Sequence, residues 1–357
     1  MVDLSVDLCG IHLPNPLVLA SGPLSWNARA IGAALDAGAA AVVTKTIRNE
    51  ASVNPIPHIA QAGRRSMLNT EGWSDLPAEQ WIEMELPWIA NRPGVVIAST
   101  GHTPEEVARL AAPLAGTGVD CLELVSYDAQ DAAPMVFAAK QTVSIPILVK
   151  LSANWPGLQD VVDDCARAGA DGFTAIDSVG PALAIDVESG RPLLDSFAWL
   201  SGEAIRPIAL RTVADVCLHH DVPVIGTGGV GRAEDAVEMI MAGATLVGAH
   251  TAPLLKGLSW FQSTLRGLRR WLERRGVQHL SDLRSSALPH LQAGASQSRL
   301  AFKFDAASCS RCGRCVTVCA YGARTLTADT QMRLDRALCR SCGLCVSVCP
   351  TDALTLA

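Results

Sequence analysis

Eight cysteines near the C-terminus are spaced for metal chemistry. They form two copies of C-x2-C-x2-C-x3-C: Cys309, Cys312, Cys315 and Cys319, then Cys339, Cys342, Cys345 and Cys349. Thiolates are soft ligands, and this four-cysteine run is the spacing that holds iron–sulfur clusters. Four thiolates also suit tetrahedral zinc, but zinc sites pair two C-x2-C units and do not use this run. The chemistry implied is electron transfer through two 4Fe-4S clusters. Pro350 follows Cys349, whereas Ala320 follows Cys319, a departure that removes no ligand.

In two-cluster ferredoxins the fourth cysteine of each run ligates the other cluster. By that rule Cys309, Cys312, Cys315 and Cys349 hold one cluster, and Cys339, Cys342, Cys345 and Cys319 the other. A disulfide framework is the alternative for a chain with 12 cysteines, but frameworks belong to short secreted chains, where they replace a core. The remaining Cys9, Cys121, Cys165 and Cys217 stand singly in apolar or helical contexts and read as buried structural thiols.

An electron wire needs a two-electron centre to serve, and the chain upstream is long enough to supply one. Its 357 residues allow one large domain and a small appendage. A net charge of -6, with basic residues thin outside Arg266 to Arg275, argues against a nucleic-acid partner. No uninterrupted apolar stretch reaches membrane-span length, and Met1-Val-Asp-Leu does not begin a signal peptide. A cytoplasmic location is expected.

From Leu17 to about Thr251 one unit recurs: a short apolar run, a loop, then an Ala-rich helical stretch. The runs are Leu17–Ala20, Ala41–Thr44, Val95–Ser99, Cys121–Val125, Ile147–Lys150, Gly172–Ile176, Pro223–Gly226 and Thr245–Ala249. Eight parallel strands, each followed by a helix, close a TIM (β/α)8 barrel. The fold class expected is therefore α/β, a TIM barrel with a C-terminal bacterial-ferredoxin-like α+β module. Residues 1–275 would form the barrel, 276–305 a linker and 306–357 the cluster module. Leu4 to Leu13 reads as a hairpin closing the barrel bottom, and Trp260 to Arg274 as an outer amphipathic helix.

Chemistry in this fold sits beyond the C-terminal ends of the strands. The residues there are polar: Ser21-Gly22, Lys45-Thr46, Thr100-Gly101-His102, Ser126-Tyr127-Asp128, Lys150, Asp177-Ser178, Gly228-Gly229 and His250-Thr251. Most lysines are surface residues, but Lys45 and Lys150 both end apolar strands. The segment Gly226-Thr-Gly228-Gly229-Val-Gly231 matches G-x-G-x-x-G, the dinucleotide fingerprint. That fingerprint wants an acidic residue ending the next strand, and here the strand ends Val247-Gly-Ala-His250-Thr251. The loops after strands seven and eight are where barrels bind a phosphate, so a singly phosphorylated cofactor, most simply FMN, fits better than NAD.

These segments resemble a known family, the pyrimidine-active subunit of dihydropyrimidine dehydrogenases and, behind it, the dihydroorotate dehydrogenases. The resemblance is carried by Leu13-Pro-Asn-Pro16, Val42-Val-Thr-Lys45-Thr46, Leu68-Asn69-Thr-Glu71, Pro146-Ile-Leu-Val-Lys150, Leu200-Ser-Gly202-Glu-Ala-Ile-Arg-Pro-Ile-Ala-Leu210, Gly226-Thr-Gly-Gly229 and the terminal cysteines. It implies an FMN over the barrel mouth, with Lys45 and Lys150 near the ring, Ser21-Gly22 against it, and Ser201-Gly202 and Gly228-Gly229 around the phosphate; Thr46, His250 and Thr251, at the strand ends, complete the expected cofactor set. It implies Asn69 and Glu71 at the substrate.

The likeness fails at the fourth-strand loop. The family has Asn-Leu-Ser-Cys-Pro where this chain reads Val125-Ser126-Tyr127-Asp128-Ala129, so an amide-binding asparagine is replaced by Val125. Asp177 replaces another asparagine, and Ser178 takes the place of a Thr or Ser. An ionised carboxylate accepts hydrogen bonds but donates none, so the substrate's polar edge should differ. The family's catalytic Cys or Ser is missing between Asp128 and Lys140; Tyr127, Asp128 and His102 are the replacements available. Tyr127 could deliver a proton opposite the hydride, or pack as an aromatic at the rim.

The expected activity is hydrogen transfer across a C–C bond beside a carbonyl in a small polar, pyrimidine-like compound, with Lys150 in the catalytic set. Electrons would be exchanged with a separate NAD(P)H-dependent flavoprotein subunit or a ferredoxin-like carrier, and the chain is expected to form a homo-oligomer. The alternatives are an electron-transfer or scaffold subunit whose barrel has lost its chemistry, and an NAD-binding dehydrogenase built on Gly226 to Gly231.

Overall fold

The structure, a computed structural model, describes residues 2–356 except Asn91, residues 292–299, Ala328, Thr330 and Gln331. It divides into two compact units, Met1–Leu291 and Gln292–Ala357.

The larger unit is a closed parallel barrel. Its strands are β1 (Leu17–Leu19), β2 (Ala41–Val43), β3 (Val95–Gly101), β4 (Cys121–Val125), β5 (Ile147–Leu151), β6 (Gly172–Ala175), β7 (Val224–Thr227) and β8 (Leu246–Ala249). Each pairs with its neighbours in sequence, and β8 pairs with β1 to close the ring. The runs are apolar throughout because both faces are covered, one by the barrel interior and the other by helices. All seven residues of β3 are buried.

The bottom of the barrel is sealed by an antiparallel hairpin, Val6–Leu8 with Ile11–Leu13. Leu8 and Leu13 are fully buried against Val18, Val43, Ile97, Leu148, Ile225 and Leu246, so this end is a packed plug. The barrel is therefore open only at the opposite end. The helix Trp260–Arg275 buries Trp260, Phe261, Leu265, Leu268 and Leu272 and turns its arginines outward, the arrangement expected of a solvated outer helix. Of the single cysteines expected to be buried, Cys121 and Cys165 are, whereas Cys9 and Cys217 are half-buried; burial pushes the thiols of Cys9 and Cys217 up to about 11 and Cys165 up to about 12.

Two details depart from the simple β/α repeat. Residues 276–291 belong to the barrel unit: Leu280 and Leu283 are buried in its core, and Leu280 N–H donates to Asp3 O. Of the expected linker, residues 292–299 lie outside the described residues. The excursions after β2 and β6 also meet over the mouth, forming a four-stranded antiparallel sheet from Ile59–Gln61, Ser66–Asn69, Val179–Ala182 and Ala198–Gly202. Only glycine fits where its strands cross at residue 202. There φ is 90°, and a Cβ would stand 2.3 Å from Arg65 O.

The smaller unit repeats itself. Each cysteine run leads into a short helix, Arg314–Thr317 or Leu344–Ser347, and then a short strand, Arg324–Leu326 or Leu354–Leu356. Those strands pair antiparallel with Met332–Leu334 and Phe302–Phe304 respectively.

The plug makes a stability test. Leu13→Ala leaves a cavity under the barrel and is expected to cost about 2–5 kcal/mol in chemical denaturation of the barrel. Absorbance of the cluster module, a separate unit, should be unchanged.

Candidate active site

The open end of the barrel is a deep cavity floored by charged side chains that the strands would otherwise bury at a penalty. Lys45 follows β2 and is buried, with Nζ 2.8 Å from Glu71 Oε1 and 2.9 Å from Asp75 Oδ2. Lys150, on β5, places Nζ 3.0 Å from Asp177 Oδ1. Burial drags the Lys150 pKa down, but the charges of Asp177 and Glu123 outweigh it, so the ammonium is held above its ordinary range. Glu123, on β4, is itself buried. Burial pushes its carboxyl up, against Lys150 and a 2.7 Å bond from Thr174 Oγ1, while its Oε1 has no partner.

One wall is aromatic. Tyr127 stacks on Trp199, with planes 3° apart and centroids 5.6 Å apart, and lies 4.9 Å from Trp73. Arg48, fixed by Glu106 at 2.7 Å, sits over the Trp73 ring at 5.7 Å. Burial, then the Asp177 charge, push the Tyr127 phenol up, so it stays protonated at neutral pH. Val125 completes this side of the cavity.

Around the rest of the mouth, Ser201 Oγ and Thr251 Oγ1 are 2.9 Å apart, and His250 Nδ1 lies 2.8 Å from Ala20 O. The loop after β7 is braced from below. Asp235 accepts from the N–H groups of Gly231 and Arg232, and Trp260 Nε1 donates to Gly231 O. Gly229 is required here: its φ is 81°, and a Cβ would meet Arg206 at 2.5 Å. Two buried polar atoms on this opening, Thr227 Oγ1 and His250 Nε2, have no partner. Unpaired buried polar groups are costly, and a polar cofactor in this cavity would pair them. The residues present thus fit FMN.

The structure brings most of the expected residues together. Ser21, Gly22, Lys45, Thr46, Asn69, Glu71, Tyr127, Lys150, Asp177, Ser178, Ser201, Gly202, Gly228, Gly229, His250 and Thr251 all line the one cavity. Two do not. Asp128 is exposed and opens the helix Ala129–Lys140. His102 packs behind the wall, 5.4 Å from both Trp73 and Tyr127, with its Nδ1 buried and unpaired. Asn69 donates to Trp199 O at 3.3 Å, so part of its amide is spent on the rim sheet. Sequence reasoning missed Trp73, Trp199, Asp75 and Glu123. The last had a signal, since a carboxylate inside an apolar strand must have a reason to be there.

In the small unit a cavity is lined by Cys309, Cys312, Cys315 and Cys349 together, with Phe304, Leu326, Met332 and Leu354 beside them. This is the crossed set, three cysteines of one run and the fourth of the other. The backbone N–H of Arg314, and after it the Ser310 hydroxyl, hold Cys312 below the usual thiol range. At Cys319 and Cys349 burial pulls the other way and is outweighed by the amides that follow each residue. Thiolate is the form that binds iron. Among the described residues no three His, Cys, Asp or Glu side chains converge as a single metal ion would need.

Comparison with known proteins agrees. Residues 3–272 match the dihydroorotate dehydrogenase family model. The chain belongs to the dihydroorotate dehydrogenase family. It is thus a flavin-dependent oxidoreductase acting on CH–CH groups, and residues 303–356 match a 4Fe-4S dicluster domain. Among similar family members is the dihydroorotate dehydrogenase B (NAD(+)) catalytic subunit of Pelobacter propionicus, 35% identical over 79% of this chain and 97% of the relative. Those of Pyrococcus abyssi and Methanothermobacter thermautotrophicus are 33% and 32% identical, over 80% and 78% of this chain and 99% and 97% of theirs. These family relatives are covered almost end to end while a fifth of this chain is left over. They carry the broader of the two likenesses, that to dihydroorotate dehydrogenases and not specifically to a dihydropyrimidine dehydrogenase subunit. Among the described residues no helix is long and apolar enough to cross a membrane.

His250 gives this family member a pH dependence. Burial, reinforced by Lys150 and Lys45 and opposed by the bond to Ala20 O, lowers its pKa from 6.5 to about 4. The unfolded chain binds a proton there that the folded barrel does not, so this contribution is fully present above pH 6.5 and is lost as pH falls towards 4. Thermal unfolding of His250→Gln is expected to show a shallower dependence than wild type across that window.

Proposed function

We propose that this chain is an FMN- and iron–sulfur-dependent oxidoreductase that moves hydrogen across a C–C bond beside a carbonyl in a small planar compound. Two 4Fe-4S clusters would carry its electrons to or from a partner. The observation that supports it best is Lys150, kept cationic by Asp177 and Glu123 on the cavity floor. A cation there stabilises the negative charge that a reduced flavin ring gains. Bound FMN would exchange hydride with the substrate carbon.

The chain's own residues would do the rest. Lys45 and Lys150 would face the ring. Ser21, Gly22, Thr46, Ser201, Gly202, Gly228, Gly229, His250 and Thr251 would hold the cofactor, with His250 Nε2 and Thr227 Oγ1 gaining partners. Asn69, Glu71, Asp177 and Ser178 would address the substrate's polar edge. Val125 and the rings of Trp73, Tyr127 and Trp199 would cover its face and exclude water. Tyr127, positioned by His102, would hold the proton that goes to the carbon opposite the hydride; Asp128 has no part in this. The likeness to the pyrimidine-active subunit of dihydropyrimidine dehydrogenases enters here through the pairing of this barrel with two four-cysteine runs. The electron partner would be a separate NAD(P)H-dependent flavoprotein subunit or a ferredoxin-like carrier. The relatives' own name, catalytic subunit of an NAD(+) enzyme, supports the first.

A second reading, an electron-transfer or scaffold subunit with a silent barrel, is favoured by Val125 and by Asn69 being tied to Trp199 O.

Anaerobic titration of the flavin with planar unsaturated amides separates the two. Several are expected to perturb the flavin spectrum. Tyr127→Phe should lower turnover about 100-fold while leaving the spectral change intact. A flavin that no such compound perturbs would support the scaffold.

A further inference from the structure

The two halves of the cluster module are copies thirty residues apart, as Cys309 and Cys339 or Cys319 and Cys349 show. Among the described residues, the buried positions of the two copies differ in residue type at one place. Cys349-Pro-Thr-Asp-Ala ends on Leu354, which is 2% exposed and lines the cavity of Cys309, Cys312, Cys315 and Cys349. Cys319-Ala-Tyr-Gly-Ala ends on Arg324, which is 4% exposed. A guanidinium has been placed where the sister copy keeps a leucine.

Arg324 is aimed at a ligand sulfur. Its Nε donates to Cys345 Sγ at 3.2 Å, and its guanidinium lies over the Phe302 ring at 4.5 Å. Its Nη2 is buried with no hydrogen-bond partner, and among the described residues it makes no ion pair with a carboxylate. A charge buried without a counter-charge is strongly unfavourable. What would compensate it is the negative charge of a thiolate-ligated iron–sulfur cluster.

We propose that Arg324 separates the potentials of the two clusters by raising that of the cluster held by Cys339, Cys342, Cys345 and Cys319. Each cluster takes one electron, which adds one negative charge. A fixed cation and an N–H donor at a ligand sulfur stabilise that charge, and hydrogen bonding to sulfur is a recognised determinant of cluster potential. The cluster beside Leu354 has a leucine at the matching place, and the arginine that lines its cavity, Arg314, is exposed to solvent. Arg324 is a positioning residue, and its effect is to make one cluster the site where an electron rests. This inference rests on the two-cluster reading above.

The test is an anaerobic dithionite titration of the full-length holoprotein, followed by EPR, with iron counted per chain. Wild type is expected to hold about eight iron atoms and show two separated one-electron steps. Arg324→Leu, which gives this position the sister copy's residue, should lower the upper step by at least a tenfold change in equilibrium constant, about 59 mV, and bring the two closer. Arg324→Lys should preserve much of the split. If the leucine variant does not assemble, Arg324→Gln, which keeps a donor without the charge, should lower the same step. Eight irons with steps that none of these substitutions moves would overturn the role of Arg324. About four irons per chain would overturn the two-cluster reading instead.

Discussion

A lysine ammonium at the end of a buried strand has to be neutralised, and much of the barrel mouth follows from how this chain does it. Lys150 on β5 is answered by Asp177, just past β6, and by Glu123 on β4. The closed ring makes this possible, because β5 pairs with both neighbours and sets Lys150 directly across from Thr174. Thr174 in turn supports Glu123. Three adjacent strands thus carry a charge network that no single segment could hold. Lys45, between Glu71 and Asp75, repeats the solution on the other side.

The network explains what was legible in the sequence. The eight strands could be read because each is a short apolar run covered on both faces, and such runs stand out against Ala-rich helices. Leu8 and Leu13 marked the plug by alternation, and the cysteine runs needed only their spacing. Lys45, Lys150, His250 and the glycine loop were found because a barrel's chemistry must follow its strands.

What could not be read was set by distant pairing. The rim sheet joins Ser66–Asn69 to Ala198–Gly202, segments more than a hundred residues apart, and no local pattern announces that Asn69 will lie opposite Trp199. The aromatic wall has the same origin, since Trp73, Tyr127 and Trp199 come from three separate excursions. Asp128 misled for a local reason: the backbone turns there into a helix and leaves the side chain in solvent. In the small module the repeat was plain, but the contact from Arg324 to Cys345 crosses from one copy to the other and belongs to the folded state alone. Both units hold a cation largely away from solvent, Lys150 in the barrel and Arg324 in the small module.

The central claim, that one chain joins a flavin barrel to a two-cluster electron port, is tested most directly by counting electrons. Reductive titration of the anaerobic holoprotein should consume roughly four equivalents per chain, two for FMN and one for each cluster. The flavin and cluster absorbance should both bleach. Uptake of two equivalents or fewer, with no flavin bleaching, would contradict it.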